Sequence, residues 1–277
     1  QYTGAWTTFS SMEKNWAYRQ DQLSSTHPIK ARIRDLDDVL VNFDGITYAK
    51  GASVLRQLVA WVGQENFMAG VRAYIAQHAW GNTELPDLMS ELEAASGRDL
   101  SEWTRLWLET SGVNTLRTEV ETDEAGTITA LRLRQSAPDG SPSAPGDDVL
   151  RPHRLAVGFY DVDEATGRLI RTERFELDVA GEVTEVAEAA GRRRPAVILP
   201  NDDDLAYAKL RLDDASWEAA STRLKDVDGS LARTLLWGAA WDTVRDGEAS
   251  AAWFVDLVLA NVGHERDSSV VQTLLRQ

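Results

Sequence analysis

The residue whose type and setting best suit chemistry is Tyr48, in the segment VNFDGITYAKGASVLRQL at residues 41–58. We expect Tyr48 just ahead of a helix, because Lys50 and Gly51 separate it from the first apolar turn. A phenol ordinarily keeps its proton at neutral pH, so it can donate a hydrogen bond to an oxyanion that forms in a transition state. The same spacing suits a tyrosine that only packs at a helix start, and composition alone favours that structural interpretation.

The remaining chemistry-bearing side chains form no recognisable site. No two histidines lie within helical reach of each other, and the H-E-x-x-H zinc motif does not occur. The G-x-S-x-G motif of serine hydrolases and Gly-rich phosphate loops are also missing. The sequence therefore predicts no metal site in this chain, and we expect all four histidines to be structural or solvated: His27, His78, His153 and His264.

Two runs of like charge are interpreted as surface features. The acidic run at residues 201–204 lacks the loop length and the terminal Glu of a calcium-binding loop, so a solvated turn is expected. The basic run at residues 192–194 stands alone in an acidic background and is expected on a surface loop.

Residues 1–112 are predicted to be almost wholly helical. Loosely helical spacing of apolar residues indicates a helix from Ala5 to about Leu23. Residues 25–45 contain Pro28 and no sustained period, so they should form an irregular crossing that could include a short strand. A helix from Lys50 to Val62 should bury one stripe, made of Val54, Leu55, Leu58, Val59 and Val62.

Three further helices are predicted before Gly112. One covers ENFMAGVRAYIAQHAW, where Phe67, Val71 and Ile75 repeat every four residues. The next should be capped by Asn82 or Thr83 and end near Gly97, and the last should open with a capping box of Asp99 and Glu102 and stop at Gly112.

Beyond Gly112 apolar residues recur at every second position, which indicates strands. Short apolar runs separated by turn segments, one of them the stretch APDGSPSAPGDD, predict an antiparallel β-sandwich over residues 113–213. The runs PAVILP and LAYAKLRL should close it around the acidic turn. The helical period returns at Ser216, so residues 214–277 are predicted to be stacked antiparallel helices.

Composition narrows the class of protein. The formal net charge of -15 disfavours binding to nucleic acid or to an anionic membrane. The chain has no cysteine, which excludes disulfides and thiolate chemistry and fits a reducing compartment, so we expect a cytoplasmic protein. No apolar run approaches the length of a membrane span, and the aromatic-rich start without Met suggests a fragment of a longer protein.

The segment FDGITYAKGASVL resembles the F-x-x-I-x-Y-x-K-G-A-x-V-L pattern of the aminopeptidase N family, a group of gluzincin zinc metallopeptidases. Similarity to bacterial members extends, in family order, over four other segments and thus over essentially the whole chain: YRQDQLSSTHPI, ENFMAGVRAYIAQHAWGN, DLSEWTRLWLETSGVNTL and LPNDDDLAYAKLRLD. The resemblance implies that residues 1–112 are the helical half of a thermolysin-like catalytic domain, 113–213 a β-sandwich and 214–277 the start of a helical domain.

The resemblance also implies roles for two residues. Tyr48 would be the catalytic tyrosine that stabilises the tetrahedral intermediate, and Phe43 would help to line the pocket for the first side chain of the substrate. The family's zinc motif, its further zinc-binding Glu and its G-x-M-E-N segment do not occur here and are expected upstream of Gln1. The parent protein is therefore expected to be a zinc aminopeptidase that acts on peptides with a free N-terminus, whereas this chain alone should be inactive.

Two other functions stay open at this point. One is a non-catalytic scaffold or peptide-binding module, in which helices and a sandwich present a groove. The other is a related zinc hydrolase with altered chemistry, such as an epoxide-opening enzyme that shares the tyrosine motif. The sequence does not reveal the preferred N-terminal residue or the oligomeric state.

Overall fold

The computed structural model describes residues 4–138 and 149–277. Along these residues helices come first, two β-sheets follow, and helices return. This order shows the mixed α and β architecture that the sequence predicts, while the division into domains at residues 112 and 213 stays a prediction. Most of the turn stretch APDGSPSAPGDD, residues 139–148, lies outside the described residues.

The first part of the chain is built from helices that amphipathic periods predict well. The N-terminal run is continuous, because a π-helical stretch at Phe9–Lys14 joins two short α-helices. A second π-helical turn, Ile46–Lys50, leads directly into a long α-helix. The α-helices here are α1 (Ala5–Thr8), α2 (Asn15–Asp21), α3 (Leu36–Val41), α4 (Gly51–Val62), α5 (Gln64–Gln77), α6 (Leu85–Ser96) and α7 (Ser101–Leu108).

The crossing at residues 25–45 contains a helix and, in this described stretch, no strand. The helix is α3, whose first turn is capped by the Asp35 carboxylate through a 3.0 Å hydrogen bond from the backbone N–H of Asp38. A local side-chain cap of this kind lets a short helix form without a long apolar period. The sequence analysis missed this helix because it relied on a long apolar period.

The predicted cap of α6 is wrong. Neither Asn82 nor Thr83 caps this helix; Glu84 does, and it forms a reciprocal capping box with Asp87. A carboxylate accepts hydrogen bonds from the free N–H groups of a first turn as a hydroxyl or amide oxygen does, so Glu can occupy this position.

The predicted capping box of α7 is also wrong. Asp99 accepts a 2.8 Å hydrogen bond from the backbone N–H of Ser101, but Glu102 forms an ion pair with Arg105 one turn further on. The i, i+3 ion pair keeps the Glu side chain pointing along the helix and away from the cap. The helix ends at Leu108, one turn before the predicted stop at Gly112.

Two sheets follow the helices. One is a four-stranded sheet in the order β5-β2-β1-β7, and the other is a three-stranded sheet in the order β4-β3-β6. The strands are β1 (Thr115–Thr122), β2 (Ile128–Ser136), β3 (His153–Val162), β4 (Leu169–Val179), β5 (Val183–Glu185), β6 (Val197–Asp202) and β7 (Lys209–Arg211).

The prediction of purely antiparallel strands needs one correction, because β7 pairs with β1 in parallel. The strand before β7 is β6, which belongs to the other sheet. The chain therefore changes sheets between them, and no tight hairpin forces β7 to run against its neighbour. The other strand pairs among the described residues are antiparallel.

The last part of the chain is helical again, with α8 (Asp214–Arg223), α9 (Ser230–Arg245), α10 (Ala251–Asn261) and α11 (Ser268–Leu274). Apolar residues of both sheets and of these helices form one core. A second core lies among the N-terminal helices and takes in Tyr207 from the loop before β7. None of the helices among the described residues combines the length and the apolar character that a membrane crossing requires.

The prediction of a solvated acidic turn is wrong for two of its three aspartates. Asp202 and Asp204 are only 2% and 3% exposed. Asp202 accepts hydrogen bonds from Tyr160 and Arg171, and Asp204 forms an ion pair with Lys14. Each buried charge thus has a partner from a distant part of the chain, as buried carboxylates require.

Candidate active site

Tyr48 lies within a helix and not ahead of one. The π-helical turn Ile46–Lys50 continues into α4, so the backbone around Tyr48 is helical on both sides. Turns of π-helix are rare in proteins and occur often at functional sites. The backbone of Tyr48 is therefore held by the helix itself.

Asp44 holds the start of this turn. Its Oδ1 accepts hydrogen bonds of 3.0 Å from the backbone N–H groups of Ile46 and Thr47, and its carbonyl oxygen accepts one of 3.1 Å from the N–H of Tyr48. The first N–H groups of a helix have no partner within the helix, so a carboxylate placed there stabilises the turn. Sequence analysis missed Asp44, although an Asp directly before an apolar helical run is a recognised start signal.

The second carboxylate oxygen of Asp44 contacts a histidine from the preceding crossing. His27 Nε2 lies 3.0 Å from Asp44 Oδ2, and His27 Nδ1 lies 2.8 Å from the carbonyl oxygen of Pro28. Both side chains of the pair are about four-fifths buried, at 18% exposure each. His27 therefore connects the turn to the chain that crosses before it.

Lys50 anchors the other end of the turn in the protein interior. Its side chain is fully buried, and Nζ lies 2.7 Å from Asp21 Oδ2 and 3.2 Å from the carbonyl oxygen of Gly112. Burial lowers the pKa of the Lys50 ammonium, and the Asp21 carboxylate opposes that effect. A buried ion pair of this kind is costly to break, because removal of one partner leaves the other charged and unpaired.

Asp21 joins Lys50 to the rest of the fold. Its carboxylate also accepts hydrogen bonds from the Tyr207 hydroxyl at 3.2 Å and from the backbone N–H of Gly112 at 2.8 Å. Lys50 Nζ lies over the Tyr207 ring, 5.5 Å from its centroid. The turn that carries Tyr48 is thus connected to the end of the helical section and to the loop before β7.

Close packing leaves little room for a Cβ atom at position 45. A Cβ atom there would lie 2.7 Å from Gln20 Oε1 and 2.9 Å from a ring carbon of Trp16. The backbone N–H of Gly45 also donates a 2.7 Å hydrogen bond to Gln20 Oε1. The turn therefore sits directly against α2.

The rings of Tyr48 and Phe43 point outward. Tyr48 is 48% exposed and Phe43 is 67% exposed. Their ring centroids are 4.8 Å apart at an interplanar angle of 68°, an edge-to-face contact that orients both rings. Within residues 4–138 and 149–277 the Tyr48 hydroxyl has no hydrogen-bond partner, so its proton can be donated to another molecule.

The histidines are not brought together. His153 is buried, forms a 3.0 Å contact with Gln135 Oε1 and packs against Trp107. Desolvation, assisted by the charges of Arg151 and Lys14, lowers the pKa of His153 to about 3, so the ring is neutral. No group of three or more His, Asp or Glu side chains in the part of the chain that the structure describes could hold a metal ion.

The chain matches two protein families. The Peptidase family M1 domain matches residues 1–107, and the ERAP1-like C-terminal domain matches residues 197–277. Aminopeptidase N from Streptomyces lividans is 57% identical over 273 residues, which is 99% of this chain and 32% of that protein.

More distant relatives cover less of the chain. The Tricorn protease-interacting factor F2 of Thermoplasma volcanium is 36% identical over 42% of this chain and 15% of its own length. Aminopeptidase 2 of Candida albicans is 34% identical over 65% of this chain and 19% of its own length. The chain therefore spans a third or less of the length of these relatives. It belongs to the aminopeptidase N family of M1 peptidases.

Proposed function

We propose that this chain is part of a zinc aminopeptidase that removes N-terminal residues from peptides, and that Tyr48 donates a hydrogen bond to the oxyanion of the tetrahedral intermediate. The observation that carries the proposal is an outward-facing phenol without a described partner, on a turn held at both ends by Asp44 and Lys50. A donor that is already oriented needs no reorganisation when charge develops on the substrate, which is the condition for effective oxyanion stabilisation.

Phe43 is proposed to contact the first side chain of the substrate. It is exposed, apolar and in edge-to-face contact with Tyr48, so a side chain that packs on Phe43 would hold the adjacent carbonyl group near the phenol. Positioning of this kind contributes to catalysis by fixing the distance and angle between reacting groups.

The residues described here do not fit zinc, since no cluster of ligands exists among them. We therefore propose that the metal is held by a part of the parent protein outside this chain. This chain contributes the phenol and the aromatic surface. For the same reason we expect the 277-residue chain alone to release no N-terminal residues from peptides, and zinc-dependent release by the purified chain would contradict that expectation.

An apolar surface beside Tyr48 supports a larger parent domain. Leu36, Leu40 and Val41 are 80%, 74% and 75% exposed, and they lie next to Phe43 along the chain. Such a concentration of exposed large apolar side chains is unusual on the free surface of a monomer and is typical of surfaces that another structure covers. Packing against the remainder of the catalytic domain would cover this surface.

The experiment is to replace Tyr48 with Phe in the longer protein that contains this chain. Loss of one oxyanion donor lowers kcat by about 10²–10³-fold while KM changes little, because the bond forms only in the transition state. Hydrolysis of an aminoacyl anilide measures both kcat and KM. Tyr74→Phe is the matched control, because the Tyr74 hydroxyl forms a hydrogen bond with Thr83 on the surface, and this variant should retain wild-type kcat.

The outcomes separate the three functions. A kcat of Tyr48→Phe equal to that of Tyr74→Phe would refute the catalytic role. A parent protein that hydrolyses no peptide would favour a scaffold or peptide-binding module. Hydrolysis of an epoxide in place of an anilide would favour the altered zinc hydrolase.

A further inference from the structure

A cavity between four distant parts of the chain has an acidic side chain in its wall. It lies among the N-terminal helical run, the segment that leads into β7, and helices α9 and α11. Its volume is about 60 Å³, and its lining includes Asn15, Trp237, Trp241, Leu274 and Asp242. We call it the Asp242 cavity. It adjoins a second depression that shares Asn15 and Trp241 in its wall, and it is partly open to solvent.

The Asp242 carboxylate has no partner among the residues that the structure describes. Its side chain is 6% exposed, and it makes no hydrogen bond or ion pair within residues 4–138 and 149–277. Three of the cations around it are paired with other carboxylates: Lys14 with Asp204, and both Lys209 and Arg211 with Asp246. A fourth, Arg245, acts on Asp242 through its charge and makes no ion pair with it.

Buried polar groups nearly always have partners, and a buried carboxylate without one is destabilising. The raised pKa of Asp242 reflects the cost of burying its charge. Desolvation raises this pKa to about 6, although the charges of Lys209 and Arg211 oppose the effect. The carboxylate is thus left with unused capacity to accept hydrogen bonds from whatever enters the cavity.

The rest of the wall indicates what kind of molecule would satisfy this carboxylate. The Tyr18 hydroxyl is satisfied, since it donates to the carbonyl of Ala208 and accepts from its N–H. A carboxylate acceptor beside the indole rings of Trp237 and Trp241 suits a cation with several N–H groups and an apolar body.

We propose that the Asp242 cavity binds a primary alkylammonium group, which donates to the Asp242 carboxylate while its alkyl chain lies against Trp241 and Leu274. The volume limits the ligand to about four to six heavy atoms, since one water needs roughly 10–15 Å³ on the same measure. A four-carbon primary ammonium, free or at the end of a lysine side chain, has this size. The proposal does not depend on the role of Tyr48, because neither Tyr48 nor Phe43 lines the cavity.

The test measures binding of n-butylammonium and of butan-1-ol, its uncharged counterpart of equal size, to the 277-residue chain. Calorimetry at a pH near 7.5, where the carboxylate is ionised, and at about 0.15 M salt separates specific binding from attraction to the net negative charge. We expect saturable binding of n-butylammonium and at least tenfold weaker binding of butan-1-ol. Equal affinities would overturn the proposal, and this comparison uses only the wild-type chain.

Two variants locate the site. Asp242→Asn keeps the shape of the side chain and removes its charge, so the affinity for n-butylammonium should fall at least tenfold. Asp256→Asn is the matched control, because Asp256 is an exposed carboxylate on the neighbouring helix α10. The affinity of this variant for n-butylammonium should equal that of wild type. Wild-type affinity in Asp242→Asn, or an equal loss in both variants, would overturn the assignment.

A third probe, Nα-acetyl-lysine amide, distinguishes the source of the ammonium group. Binding that matches or exceeds that of n-butylammonium and is lost in Asp242→Asn supports a lysine side chain as the natural ligand. Binding of n-butylammonium alone supports a free amine.

Discussion

The carboxylate of Asp242 should make the protein less stable at neutral pH than at acidic pH. Its pKa is raised by burial from 3.8 to about 6. Between these two values the folded state binds a proton that the unfolded state has released, so the free energy of unfolding falls as pH rises through this window and is constant above it. Two units correspond to about 3 kcal/mol at about 1.4 kcal/mol per unit.

Asp242→Asn cannot ionise, so it avoids this cost. We expect the variant to be more stable than wild type at pH 8 by up to about 3 kcal/mol, and the difference should vanish as pH falls towards 4. The substitution leaves in place the ionisable groups that interact electrostatically with Asp242: Lys14, Tyr18, Lys209, Arg211, Arg245 and Asp246.

Thermal unfolding measured by calorimetry at several pH values is the assay. For a protein of this size about 1 kcal/mol corresponds to roughly 2–4 °C in Tm, so the expected difference at pH 8 is several degrees. Asp256→Asn removes an exposed carboxylate and should leave Tm near that of wild type at every pH. A Tm of Asp242→Asn below wild type at pH 8, or a difference that grows on acidification, would refute the reasoning.

Three further substitutions test how the turn that carries Tyr48 is held. Lys50→Met leaves Asp21 buried and charged, so the free energy of unfolding should fall by roughly 3–5 kcal/mol, and adding Asp21→Asn should restore part of it; equal stability of the single and double variants would contradict this. Gly45→Ala brings a Cβ against the Trp16 ring and should cost roughly 1–3 kcal/mol, whereas an unchanged Tm would show that the ring moves freely. Asp44→Ala should cost roughly 1–2 kcal/mol and speed amide exchange at the first N–H groups of the turn, but not in α5.

The helices of the first part of the chain were predictable because their periods are local. In α4 the stripe residues Val54, Leu58 and Val62 are buried as predicted, but Leu55 is 52% exposed. In α5 the helix forms where expected, yet Ile75 is 60% exposed. A period predicts that one face is apolar; which members of that face find a neighbour depends on packing between elements that are distant in sequence.

Charge pairing lay beyond sequence reasoning for the same physical reason. A carboxylate in an acidic turn is interpreted as solvated unless its partner is known, and the partner of Asp204 is Lys14, 190 residues earlier. The partners of Asp202 are Tyr160 and Arg171, from β3 and β4 of the same sheet. Only the fold brings these side chains together, so no local pattern could have predicted their burial.

The motif that suggested the family contains both the proposed chemistry and its support. Phe43 and Tyr48 face outward, whereas Ile46, Lys50 and Val54 of the same motif are almost fully buried. A helical turn whose inner face is packed and ion-paired has little freedom to rotate, so its outer face keeps a constant direction. The direction of the exposed phenol therefore depends on the buried lysine of the same turn. Loss of Lys50 should reduce the proposed oxyanion stabilisation although the Lys50 side chain is buried and cannot itself contact the substrate.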